Sequence, residues 1–193
     1  FKDRTIEAWT GGRDGKGVIH ATRTGYYIYK FIDPNLDLLQ NRTSVHHWVI
    51  MRYAEILLSY AEAMNEAYGP TGNVGYRLNA VRALNQVRNR VGVEMPAVPT
   101  AISKEELREK IRNERRVELA FEDHRFWDVR RWMIAPETLG TPLRGVEITK
   151  ISDEEFEYKP IEVEKRTFEP KMYLYPIPQA DLNTTGWVQN PLW

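Results

Sequence analysis

The stretch RNERRVELAFEDHRFWDVRRWM, residues 112–133, places eleven charged side chains in twenty-two positions and still keeps a helical spacing of apolar ones. At about 100° per residue, Leu107, Ile111, Glu114, Glu118, Phe121, Arg125, Val129 and Trp132 fall on one stripe. A charge on a buried stripe is costly unless it is paired and hydrogen-bonded. Partners are plentiful: Arg112, Arg115, Arg116, Arg130 and Arg131 in the same stretch, and Arg52, Arg82 and Arg88 on neighbouring helical segments. The planar guanidinium fork can meet a carboxylate with two bonds at once. The pattern therefore predicts a buried ion-pair lattice that fixes helix register.

Two chemical alternatives use the same residues. Glu118 and Glu122, four apart on a helix, could serve as acid and base for glycoside cleavage. Surrounding arginines would hold both carboxylates ionised, which is wrong for a general acid. A metal could be held by His124 with Asp128, or by His46 with His47, but neither pair has a recognisable third ligand. No glycine-rich phosphate loop joins a strand to a helix, and there is no Ser or Cys nucleophile motif. The sequence points to no enzyme, no metal and no cofactor.

Upstream, WVIMRYAEILLSYAEAMNEAYGP carries Ile50, Ala54, Leu57, Ala61, Met64 and Tyr68 at helical spacing, with Gly69-Pro70 as the stop. A second helix is predicted from about Tyr76 to Val91. The short link between them makes the two an antiparallel helical hairpin. Trp48 is expected to enter the core at the start of the first helix. Ser103 and Glu106 form a capping box that opens the charged helix. The segment GYYIYKF (25–31) reads as a strand, and GVEITKI, EFEYKPIEVEKR and KMYLYPIP read as β-hairpin or extended edge. The tail NTTGWVQNPLW reads as loop, pinned by Trp187 and Trp193. The fold class is mainly α: a helical hairpin and a long charged helix, with short β-hairpins and long loops at both ends.

Lys plus Arg and Asp plus Glu both total 27 in 193 residues, so there is no net charge to draw the chain to nucleic acid or anionic membranes. A hydrophobic fraction of 42% supports a packed core. No cysteine is present, and no run approaches the roughly 20 apolar residues of a membrane span. The chain opens at Phe1 without an initiator Met, a leader or a lipid-accepting Cys, and is expected to be part of something longer.

Four ordered motifs, RYAEILLSYAEAMNEA (52–67), LNAVRALNQVRNRVG (78–92), LREKIRNERRVELAFEDHRFWDVRRW (107–132) and YLYPIPQADLNTTGWVQNP (173–191), resemble the C-terminal half of the SusD/RagB family. TGYYIYKFIDP (24–34) is similar to the segment before the family's first helix in this half. Arg52 and Glu55 match its RYAE. Leu84, Asn85 and Arg88 match its LNxVR. Glu114, Arg115, Glu118, Leu119, Arg125, Asp128, Arg131 and Trp132 match its charged-helix signature. Pro176, Ile177 and Pro178, then Gln189, Asn190 and Pro191, match its PIP and QNP. Asp123 stands where the family usually has Gly, which implies a helix break near 122–124.

The resemblance implies that residues 1–193 are a C-terminal SusD/RagB-like domain whose N-terminal half lies outside this chain. It implies a non-enzymatic nutrient-binding lipoprotein on the outer face of the outer membrane. Such a protein would be lipid-anchored outside this chain and would pass oligosaccharide to a SusC-like TonB-dependent transporter. Peptide is the alternative ligand, as in RagB-like members, and a scaffold that docks on the transporter without ligand contact is the third reading. Signature residues Arg52, Glu114, Arg115, Glu118, Arg125, Asp128 and Arg131 would be the structural network. Ligand contact would come from loop aromatics and polar groups, for which Trp9, His20, Tyr27 and His46 are the candidates. An aromatic ring can cover the apolar C–H face of a pyranose.

Overall fold

The computed structural model describes residues 4–45 and 47–193, with Leu38 described by its backbone alone. The chain divides into two compact units, one of residues 47–128 and one of residues 1–46 with 129–193. Among the described residues the elements are mainly helical, with one two-stranded sheet.

In the unit of residues 47–128, α1 (Tyr53–Tyr68), α2 (Ala80–Arg88) and α3 (Lys104–Glu118) pack around one core. Leu57, Leu58, Ala61 and Met64 of α1 meet Val81, Leu84 and Val87 of α2 and Leu107 and Ile111 of α3. Alanines at 61, 80 and 83 are fully buried and keep α1 and α2 close. Each start has a local cause. The side chain of Asn79 caps α2 by accepting from the Arg82 amide at 2.9 Å. At α3, the Ser103 hydroxyl accepts from the Glu106 amide (3.1 Å) and the Glu106 carboxylate accepts from the Ser103 amide (3.0 Å), the expected capping box.

α1 begins at Tyr53, later than the periodicity implied, so Trp48 and Ile50 are exposed rather than core. α2 is shorter than the predicted 76–91, and Val91 is exposed. The reason is a competing set of bonds. The Asn85 amide brackets the backbone of Val98, donating to its carbonyl (2.9 Å) and accepting from its N–H (2.8 Å). The Arg88 guanidinium donates to the Pro96 carbonyl, and the Met95 amide donates to the Arg88 carbonyl. These bonds pull the Pro-rich connector back over the end of α2.

The charged stretch is two helices. α3 ends at Glu118 and α4 runs His124–Arg131, with Phe121 (φ +63°) and Asp123 (φ +61°) left-handed between them. The break expected from Asp123 is therefore present. It turns Phe121, expected on the buried stripe, out to solvent.

The other unit contains α5 (Ala135–Thr138), β1 (Leu143–Lys150), β2 (Phe156–Glu164) and α6 (Gln179–Thr185). β1 and β2 pair antiparallel, with Val146 opposite Pro160 and Ile148 opposite Tyr158. Residues 25–31, predicted as a strand, are irregular. The second edge of β1 is instead taken at two points: the Thr10 amide donates to the Ile148 carbonyl and the Val146 amide to the Thr24 carbonyl, both at 2.8 Å. Residues 171–173, read as β-hairpin or extended edge, fall in a 3₁₀ turn (Pro170–Tyr173), and α6 runs into the tail read as loop. The Trp193 indole N–H is shared between the carbonyls of Lys171 and Leu174, which pins the tail as expected, while Trp187 is exposed.

Left-handed backbone strains an L-residue by roughly 1–2 kcal/mol, least for Asp and Asn and not at all for Gly. Asp123→Gly should be stability-neutral within about 0.5 kcal/mol, whereas Asp123→Val should destabilise by roughly 1–2 kcal/mol, as read from chemical denaturation midpoints. Equal midpoints for the two variants would rule out the backbone explanation of the break.

Candidate functional site

The conspicuous charges of the unit of residues 47–128 are consumed by one another. Arg52, just before α1, donates from Nε and Nη2 to both oxygens of Glu122 (2.7 and 2.9 Å), from Nη1 to Glu118 (2.6 Å), and from Nη2 to the Glu118 carbonyl (2.7 Å). Arg90 takes the second oxygen of Glu118 at 2.7 Å. Arg88 pairs with Glu114. Arg115 meets Asp128 through two bonds (2.8 and 3.1 Å) and Ser59 Oγ at 3.0 Å; its side chain and that of Asp128 are only 4% and 6% exposed. Hydrogen bonds from Arg52, first to Glu122 and then to Glu118, hold its pKa above the ordinary arginine value against the opposing effect of burial. Groups clamped in this way tie α1, α2 and α3 to one another. The carboxylates of Glu118 and Glu122 are both occupied by arginine donors.

One expected member, Arg125, stands apart. Arg125 is half-buried and makes no ion pair among the described residues. Asp128 is taken by Arg115, which reaches it from α3 through two bonds. Burial, and then the neighbouring charge of Arg116, hold Arg125 below the ordinary arginine value. Arg131 lies in the other unit, with its guanidinium 4.7 Å from the Trp132 ring centre. His124 Nε2 sits 3.7 Å from a carboxylate oxygen of Glu55, the glutamate of RYAE. Among the described residues no group of three or more His, Cys, Asp or Glu could hold a metal. No helix among them is long and apolar enough to cross a membrane.

The loop candidates fall in the other unit, apart from His46, which lies outside the described residues. Trp9 is half-buried, its ring 5.4 Å from Phe156 and beneath the Lys150 ammonium at 5.2 Å. Tyr27 is partly exposed, but its hydroxyl donates to the Asp14 carbonyl (2.6 Å) and accepts from the Thr22 amide (3.3 Å). The tyrosine thus staples the glycine-rich loop. Asp14 is bound to both terminal nitrogens of Arg4 (2.6 and 2.7 Å), and this pairing holds its carboxyl well below the usual range. His20 is exposed in a left-handed conformation (φ +69°).

Beside these residues the hairpin carries an open groove of about 550 Å³. Tyr26 and Tyr158 line it with Arg144, over a floor that includes Val146, Ile148 and Pro160. The alternation of the strands puts Arg144, Val146 and Ile148 on the face that also bears Tyr158 and Pro160. Two glycines deliver Tyr26 to that face. Gly25 has φ +78°, and a Cβ there would meet the Val146 carbonyl oxygen at 2.2 Å. A Cβ on Gly145 would meet the Thr24 carbonyl oxygen at 2.6 Å. Only backbone without side chains allows this close an approach.

The sequence reading named Tyr27 and passed over Tyr26, Arg144 and Tyr158. The available signal was the pair of glycines flanking aromatic and strand residues, together with the period-2 alternation of the hairpin. What joins residue 26 to residue 158 is a tertiary contact that no local pattern specifies.

A crystal structure of a SusD-like protein from Bacteroides fragilis superposes with a TM-score of 0.73 at 38% identity, covering 90% of this chain and 31% of its own. A SusD homolog from Bacteroides thetaiotaomicron gives 0.51 at 26% identity, covering 81% and 31%. SusD-like proteins P2 and P38 of Formosa agariphila are 34% and 35% identical over 120 and 104 residues. Those matches take in 60% and 51% of this chain but 22% and 19% of the relatives. The SusD family model matches residues 5–193, and the chain belongs to that family. It spans about a third of the length of its solved relatives.

Removing one partner of a buried, doubly bonded ion pair destabilises by roughly 3–5 kcal/mol. Arg115→Ala should do so, and Arg125→Ala should stay under about 1 kcal/mol, in thermal or denaturant unfolding. The reverse ranking would relocate the lattice. Overpacking by one methyl group predicts that Gly145→Ala loses roughly 1–3 kcal/mol and speeds hydrogen exchange at the Val146 amide. Unchanged exchange would mean that the 24–25 segment is not held on β1.

Proposed function

We propose that this chain is the C-terminal part of a cell-surface nutrient-binding protein. It captures oligosaccharide without altering it and passes it to a SusC-like TonB-dependent transporter. The whole protein would sit on the outer face of the outer membrane through a lipid anchor outside this chain. Family membership along residues 5–193 carries the reading. The ion-pair geometry supports the non-enzymatic part of it, because the two carboxylates best spaced for glycoside cleavage are both held by Arg52.

Oligosaccharide is preferred over peptide on one structural ground. A peptide that added a strand to the hairpin would use the outer edge of β2, and Pro160 interrupts that strand with a residue lacking an N–H. Single-site affinities in the micromolar to millimolar range, about −8 to −4 kcal/mol, would allow release to a transporter.

The test is a binding screen of polysaccharides and peptides against the full-length protein, with this chain in parallel and products followed by chromatography. The expected outcome is saturable glycan binding without glycan cleavage. Binding of peptides alone, or hydrolysis abolished by Glu118→Gln, would replace this reading.

A further inference from the structure

Resting on the nutrient-binding reading, we propose that the groove on the β1–β2 hairpin is a subsite for a neutral sugar residue of the captured glycan. Tyr26 and Tyr158, 65% and 64% exposed, line it with their rings accessible. A tyrosine ring offers an apolar face for the C–H side of a pyranose and a hydroxyl for its polar edge. Val146, Ile148 and Pro160 give the floor little to offer a strongly hydrated group. The volume of about 550 Å³ lies within the range of small-ligand clefts.

Arg144 supplies the directional element. It is the one charged residue lining the groove, and it forms no ion pair among the described residues, although Glu162 faces it in the strand register. A guanidinium holds several N–H donors in one plane, a geometry that reaches adjacent sugar hydroxyls as readily as a carboxylate.

The surrounding charge decides between those two partners. From Leu143 to Glu164 the hairpin carries seven carboxylates against three cations. Lys150 is tied to Asp153 at 2.6 Å, and Glu147 and Glu164 are paired with Lys16 and Arg166, which leaves Glu154, Glu155, Glu157 and Glu162 against Arg144 and Lys159, still net negative. An acidic sugar would approach Arg144 against this net negative field, whereas a neutral one meets the same donor without that repulsion. The ligand class is therefore a neutral glycan rather than a uronate or a sulfated sugar.

The experiment is calorimetric titration of the full-length protein with matched sets of neutral oligosaccharides (gluco-, galacto-, manno- and xylo-) and acidic ones (galacturonate, alginate and sulfated galactan). The tightest ligand should be neutral. Tyr158→Ala and Arg144→Gln should each weaken it by about tenfold or more, with melting temperatures unchanged because both side chains are exposed. The subsite is overturned if the tightest ligand is acidic, or if either variant stays within about twofold of the wild type. In both cases glycan capture itself stands. A protein that binds peptides and no glycan overturns the subsite and the proposed function together.

Discussion

A guanidinium and a carboxylate removed from water must find each other at close range and satisfy their remaining donors and acceptors, or the fold fails. The unit of residues 47–128 is arranged around that constraint. Arg52 ties the entrance of α1 to the end of α3 through Glu118 and to the following turn through Glu122. Arg88 and Arg90 bring α2 to the same helix through Glu114 and Glu118. Arg115 secures the first residues after the turn through Asp128 while touching Ser59 of α1. The apolar core would tolerate small slips of one helix along another. The bidentate pairs would not, because each slip strands a buried charge.

The unit of residues 1–46 with 129–193 follows a different logic. Among the described residues it has no comparable helical core, and its order comes from backbone contacts made at glycines, from the Tyr27 staple on Asp14, and from the cation–ring contacts of Arg130 with Phe168 and Tyr175. Loops held by their backbones leave side chains free, and Tyr26 and Tyr158 are left exposed in this way.

Local signals in the sequence were reliable where a local cause acts. The Ser103–Glu106 cap and the break at Asp123 rest on residues within a few positions of one another, and the helical hairpin and the β1–β2 pairing join elements adjacent along the chain. Readings that extended a period past its true end failed. Trp48, Val91 and Phe121 continue an apolar pattern, but the backbone leaves the helix first, drawn by Asn85 and Arg88 at one place and by left-handed residues at another. Arg125 was misplaced by the same break, since a stripe drawn through residues 107–132 assumes an unbroken helix. The groove was illegible because its parts, residues 25–26, 144–148 and 158–160, come together only through two glycine contacts at long sequence separation.

The claim that the buried charges are scaffold and not a site is tested most directly by a double-mutant cycle on Arg115 and Asp128 in the full-length protein, reading stability and glycan affinity together. A scaffold role predicts a coupling energy of about 2–3 kcal/mol in unfolding, with the affinity of the folded variants unchanged. Coupling below about 0.5 kcal/mol, or folded variants that no longer bind glycan, would contradict it.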